Sequence, residues 1–177
     1  MTSLFGAVDR LSRFCGYAMM IVFLILVSDM MYEVVSRRVF NAPTLWAYDI
    51  AYMSNAAIFV VAAGYALLNN EHIRIDFLST RMPARVQEWA NAAVYACLLL
   101  PALWLAGSEA VVSAWVAFVT DELEPSSPWK PVIWPYYSAL ALGLVVFALQ
   151  ALVQCIRHVL AALGRGPTPL GRAGGSA

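Results

Sequence analysis

Residues 16–36 read GYAMMIVFLILVSDMMYEVVS. Apolar side chains continue here for the roughly 20 residues that a helix needs to cross a hydrocarbon core of about 30 Å. Arg10 and Arg13 stand before the run and Arg37 and Arg38 follow it. The leading arginines resemble the start of a secretory signal, but the run is too long and no small-residue cleavage site closes a short apolar core. A retained first span is therefore expected. Working outward, three more stretches meet the same length criterion, at about 48–68, 91–114 and 133–155.

The whole chain agrees with this reading. Its 177 residues are 62% hydrophobic and 12% charged, with a mean hydropathy of +0.70. A soluble domain is about half apolar and about a quarter charged, so a water-soluble globule and a disordered polar chain are both excluded. With 11 Lys+Arg against 11 Asp+Glu, the chain lacks the basic excess that tracks nucleic-acid phosphates. The expected fold is an all-α integral membrane protein: one domain over 1–163 with four transmembrane helices, followed by a disordered tail over 164–177 that is rich in Gly, Pro and Ala.

The few charges are sided. Arg10, Arg13, Arg74, Arg81, Arg85, Arg157, Arg165 and Arg172 fall on one side of the four spans, and only Arg37, Arg38 and Lys130 on the other. Cytoplasmic loops carry the positive excess, so both termini are expected inside the cell. The loop holding Asp121, Glu122 and Glu124 then faces outward. Trp46, Trp115, Trp129 and Trp134 come near the outer interface and Trp89 near the inner one, the headgroup level that indole rings favour.

Two segments mix apolar and charged residues without being able to span. At about 3–14, Leu4, Phe5, Val8 and Leu11 fall at helical spacing, which predicts an amphipathic arm that lies in the interface or extends the first helix. At about 71–88, Ile73, Ile75, Phe77, Leu78, Met82 and Val86 alternate with charge as in a surface-lying arm. Pro83 suits the first turn of a helix. If the third helix starts there and continues to about Val119, it exceeds the membrane thickness, and Pro101 inside it predicts a kink.

Several chemistries are missing. The two histidines, His72 and His158, both fall at span ends, so no pair is available inside the membrane to ligate a haem. Cys15, Cys97 and Cys155 occur singly, with no Cys-X-X-Cys for thiol exchange or zinc. No phosphate-binding loop is present. The chain is therefore not expected to be an enzyme: it offers no catalytic residue, and no cofactor or metal is expected. His72 and Asp76 share a helical face, but two ligands do not make a metal site.

Ionisable groups within spans are costly and point to function. Asp29, Glu33 and Arg37 are spaced four apart, which stacks them on one helical face at the outer end of the first span. Asp49 opens the second span on the same side, and Glu109 lies toward the outer end of the third. With Arg38 and Trp46 alongside, these residues are expected to form a polar network in the outer leaflet that sets helix register, docks a partner or conducts ions.

Two stretches carry a resemblance. Residues 37–49, RRVFNAPTLWAYD, and Gly64 followed by His72-Ile73-Arg74-Ile75-Asp76-Phe77-Leu78 resemble the small membrane subunit, of the DctQ type, of tripartite ATP-independent periplasmic (TRAP) transporters. The first is similar to the family's basic, aromatic and Asn/Pro outer loop with Trp46 and an acid opening span two. The second is similar to its His, apolar, x, apolar, Asp segment after that span, so that Gly64, His72 and Asp76 are its motif positions. Asp49 departs from the family's commoner Glu, and Tyr48 from a frequent acid.

The resemblance implies a bacterial inner-membrane scaffold subunit of a sodium-coupled importer of an organic acid. Its implied partners are a large multi-span membrane subunit, a periplasmic solute-binding protein and membrane lipids. The outer loop, 121–135, is a candidate for docking the binding protein. The competing reading is an autonomous four-span carrier, coupled to ions or protons through its own membrane carboxylates. Such a carrier needs an essential acid near the bilayer centre, whereas these acids lie toward one interface.

Overall fold

A computed structural model of the chain describes residues 2–69 and 84–164. The expected arm at 3–14 and the first span merge into one helix, α1, Thr2–Val39. At 1.5 Å per residue its 38 residues reach about 57 Å, nearly twice the thickness of a hydrocarbon core. The chain then turns at Asn41, whose φ of 50° is in the left-handed region that asparagine tolerates better than most residues. Ala42 N–H donates to the Ser36 carbonyl at 3.1 Å, closing this turn.

Helix α2, Ala47–Leu68, follows. The third span is α3, Ala84–Val94, and α4, Leu100–Thr120, joined by a π-helical turn at Tyr95–Leu99. The disturbance expected at Pro101 thus takes this form. Proline has no N–H for the Cys97 carbonyl and its ring crowds that carbonyl, and widening the preceding turn relieves both. The Leu100 N–H bonds instead to the Tyr95 carbonyl, five residues back. Helix α4 ends at Asp121, with φ 48°, where a short hairpin pairs Leu123 with Val132 before α5, Trp134–Ala162.

Four helical stretches among the described residues are long and apolar enough to cross a membrane: Phe5–Val39, Ala47–Leu68, Val86–Thr120 and Trp134–Ala162. Each contains an expected span, and three run well beyond it. The second expected arm is divided: residues 84–88 begin α3, as the position of Pro83 implied, and 71–83 lie outside the described residues, as does the tail after Gly164.

The helices stand in a row. Helix α1 packs along α2, α2 along α5, and α5 along α4, while α3 and part of α1 also meet α5. Helix α5 is the core: 44% of its most apolar window is buried, against 11% in the first span, 17% in the second and 11% in the third. Broad apolar faces of α1 and α4 are left exposed, including Phe14, Phe23, Leu24, Trp104, Leu105 and Trp115.

The α2–α5 seam depends on small residues. A Cβ on Gly143 would stand 2.8 Å from Val61 Cγ2 and 3.0 Å from the Val61 backbone nitrogen. A Cβ on Gly64 would meet the Phe147 backbone at 3.5 Å, an ordinary contact. Lipid supplies no hydrophobic force between helices, so such close packing is what holds them. Gly143→Ala is therefore expected to lower the thermal unfolding midpoint in detergent, with an overpacking cost of ~1–3 kcal/mol. Gly64→Ala is expected to leave that midpoint nearly unchanged.

Candidate functional site

Polar side chains collect at both ends of the helices. At the end holding the 40–46 turn and the 121–133 loop, Glu33 is the organising group. Its Oε1 accepts from Arg37 Nη2 at 2.5 Å and from Nε at 2.9 Å. Its Oε2 accepts the Thr44 backbone N–H at 3.1 Å and also the Thr44 hydroxyl. The Glu33 side chain is 10% exposed and that of Arg37 59%, so this carboxylate is buried by the turn it holds while the guanidinium reaches outward. Tyr32 and Trp46 stack with ring centroids 5.8 Å apart, adding a second tie between α1 and the turn.

Asp49, in the first turn of α2, belongs to a different cluster. Its Oδ2 accepts the Ser127 hydroxyl, and Ser127 Oγ accepts the Trp129 backbone N–H at 3.0 Å. Ser127 is buried at 4% exposure. The loop is further closed by Glu124 N–H to the Pro131 carbonyl at 2.9 Å and Ile133 N–H to the Glu122 carbonyl at 3.0 Å. Asp49 thereby fastens the 121–133 loop onto α2.

The other residues of the expected network make none of these bonds. Asp29 is buried, and neither carboxylate oxygen has a hydrogen-bond partner. Arg38 is exposed and makes no hydrogen bond or ion pair among the described residues. Glu109 is likewise exposed and unbonded, on α4 at the far end of the row from α1. Of the motif positions, Gly64 is buried in the α2–α5 seam. His72 and Asp76 lie outside the described residues.

A second polar seam, unanticipated from the sequence, runs along α5 at the opposite end. Gln150 Nε2 donates to Asp9 Oδ1 at 3.3 Å, and Ser12 donates to Gln150 Oε1 at 2.9 Å. Asp9 Oδ2 accepts from Arg157 Nη2 at 2.7 Å. One turn on from Gln150, Gln154 donates to the Leu67 carbonyl at 3.2 Å, near the C-terminus of α2. Beyond it, His158 Nδ1 meets Glu88 Oε2 at 2.5 Å, with Tyr95 stacked on the imidazole at 5.4 Å between centroids.

Helix α5 thus uses residues at four-residue spacing to tie down α1, α2 and α3 in turn. Gln150, Gln154 and His158 at i, i+4 and i+8 were the available signal, because amides and imidazole on one face of an apolar helix imply partners on its neighbours.

The two ends generate separate expectations. The His158 and Glu88 side chains are 2% and 1% exposed, against 18% and 13% for Arg157 and Asp9. Removing Glu88 leaves the buried imidazole of His158 without its partner, at about 1–3 kcal/mol, whereas a partly exposed pair costs less to break. Glu88→Ala is thus expected to lower the unfolding midpoint more than Asp9→Ala, and to expose 84–94 to protease. At the other end, Asp49→Ala and Ser127→Ala are expected to be non-additive in a double-mutant cycle, with a coupling of ~0.5–3 kcal/mol.

Comparison with known proteins agrees with this architecture. The family model for the DctQ component of tripartite ATP-independent periplasmic transporters matches residues 26–161. The chain is similar to the sialic acid TRAP transporter permease protein SiaT of Haemophilus influenzae, 26% identical over 98 residues that make up 52% of this chain and 15% of that permease. It is also similar to the C4-dicarboxylate TRAP transporter small permease protein DctQ of Vibrio cholerae, 33% identical over 90 residues, 50% of this chain and 38% of that protein. The chain spans well under two thirds of the length of either relative. No solved structure matches. Four apolar helices in a row, with the family match running from within α1 almost to the end of α5, make this chain a member of the DctQ family of TRAP transporter small permease components.

Proposed function

We propose that this chain is the scaffold subunit of a sodium-coupled importer in the inner membrane, bracing a large membrane subunit that moves an organic acid delivered by a periplasmic binding protein. The observation that carries the bracing role is Glu109. It sits exposed within the third span, on a helix that also exposes Trp104, Leu105 and Val112, and it is bonded to nothing among the described residues. A carboxylate turned toward lipid is costly, and such groups ordinarily pair with a cation or face a partner. The exposed face of α4 thus suits a neighbouring transmembrane helix that offers a donor at the same depth.

The names of the relatives support an acidic cargo, since one is described for sialic acid and the other for C4-dicarboxylates. The arginine distribution supports a cytoplasmic position for both termini. The 121–133 loop, held by Asp49, is then presented to the periplasm, where a binding protein docks. His72 and Asp76 are assigned to the cytoplasmic interface, and Arg37, Arg38 and Trp46 to the periplasmic one.

Co-purification with the large membrane subunit tests the role of Glu109. Glu109→Gln, which keeps a hydrogen-bonding head, is expected to retain the partner, and Glu109→Lys to lose most of it. Equal recovery with all three side chains would remove the support for bracing through α4. Flux by the purified chain reconstituted alone would instead support an autonomous carrier, with the unpaired Asp29 as its first candidate group.

A further inference from the structure

The amino-terminal part of α1 carries two arginines with no partner among the described residues. Arg10 and Arg13 are both exposed, and neither makes a hydrogen bond or ion pair among the described residues. The nearest acid in sequence, Asp9, is already bonded to Arg157 and Gln150. Two uncompensated guanidiniums at one end of a membrane-spanning helix set up a site for an anion, and guanidinium matches phosphate geometry especially well.

What lies further along the same helix narrows the kind of anion. Starting at Gly16, three residues after Arg13, an open groove of about 340 Å³ runs between α1 and α2. Its head is formed by Gly16 and Tyr65: a Cβ on Gly16 would stand 2.6 Å from the Tyr65 ring, so the glycine lets that ring lie flat on the helix. Its walls are Met20 and Phe23 of α1 with Ile58 and Ala62 of α2, and its surface is almost wholly apolar. Arg13 precedes Gly16 and Tyr17 by three and four residues, which sets it beside the head of the groove, and Arg10 stands one turn further back.

We infer that this arrangement is a binding site for one anionic phospholipid, with the phosphodiester headgroup held by Arg10 and Arg13 and an acyl chain laid in the α1–α2 groove. Charge complementarity selects the headgroup, and the apolar lining selects the chain; neither feature alone requires a lipid, and together they match its two parts. The site is separate from α4 and does not depend on the bracing role of Glu109. Its effect is to cover with a lipid the apolar surface that α1 leaves exposed beside α2.

Native mass spectrometry of the full-length protein in detergent tests this, using phosphatidylglycerol, phosphatidylcholine and soluble glycerol phosphate as probes. The wild type is expected to retain phosphatidylglycerol at least about tenfold better than phosphatidylcholine, each surface arginine contributing about five-fold. Arg10→Gln/Arg13→Gln is expected to weaken phosphatidylglycerol retention about thirty-fold; both side chains are exposed, so folding is unaffected. Ala62→Phe, which fills the groove, is expected to reduce retention of both lipids.

Four results would each overturn the site: equal retention of the two lipids, wild-type retention by the double arginine variant, retention unaffected by Ala62→Phe, or full displacement of phosphatidylglycerol by equimolar glycerol phosphate. So would loss of the lipid on assembly with the large membrane subunit combined with failure of Ala62→Phe to assemble, since the groove would then hold a protein helix.

Discussion

The approach of α2 to α5 governs the rest of the structure. Gly143 places the Val61 backbone where a side chain on α5 would otherwise stand, and the two helices close on each other at backbone distance. In a membrane this has a particular meaning, because an apolar side chain gains nothing by leaving lipid for protein and contacts must be won by fit. Once α2 and α5 are seated, α5 can present Gln150, Gln154 and His158 to three different neighbours. Each of those bonds requires a depth and a rotation of the partner helix, so the seam also sets register. Helix α4, on the other flank of α5, joins the row through apolar packing, with Gly107 facing Leu144.

The two polar regions are different in kind. Along α5 the bonds link long helices across the row, most of them at buried positions. At the other end, Glu33 and Asp49 bond mainly to turns: Thr44 in the 40–46 connection and Ser127 in the 121–133 loop. One region holds helices together and the other shapes the surface between them. That division leaves the 121–133 loop as an ordered platform, its hairpin bonds closed and its base fixed to α2.

Much of the architecture was legible because its signal is bulk composition. Four apolar runs of membrane length identify four helices whatever their neighbours do. Their ends were less legible: α1 and the third span continue well past the hydrocarbon limits, since helix propagation needs only compatible residues and not an apolar surrounding. Glu33, Arg37 and Asp49 stood out as charges in apolar surroundings, but their partners Thr44 and Ser127 are set by turn geometry that spacing does not encode. In the α5 seam, glutamine and serine carry no charge to mark them, and Asp9, Glu88, Arg157 and His158 stand at span ends, where charge is ordinary. Glu109 and Asp49 were read together for their common depth, yet depth says nothing of which helices are neighbours, and α4 stands at the far end of the row from α1.

The π-turn at Tyr95–Leu99 gives the third span a mechanical property of its own. A wide turn holds about one residue more than a regular one, and each residue rotates a helix by about 100°. The face that α3 shows to α5 is therefore phased separately from the face that α4 shows. With a regular turn, α3 would be rotated by about that angle relative to α4, and Glu88 would swing away from His158 while Leu103 and Gly107 kept their places against α5. The span behaves as two helices in one: α4 seats against α5 through its small and apolar side chains, α3 through the buried Glu88–His158 contact, and the five residues between them reconcile the two angles.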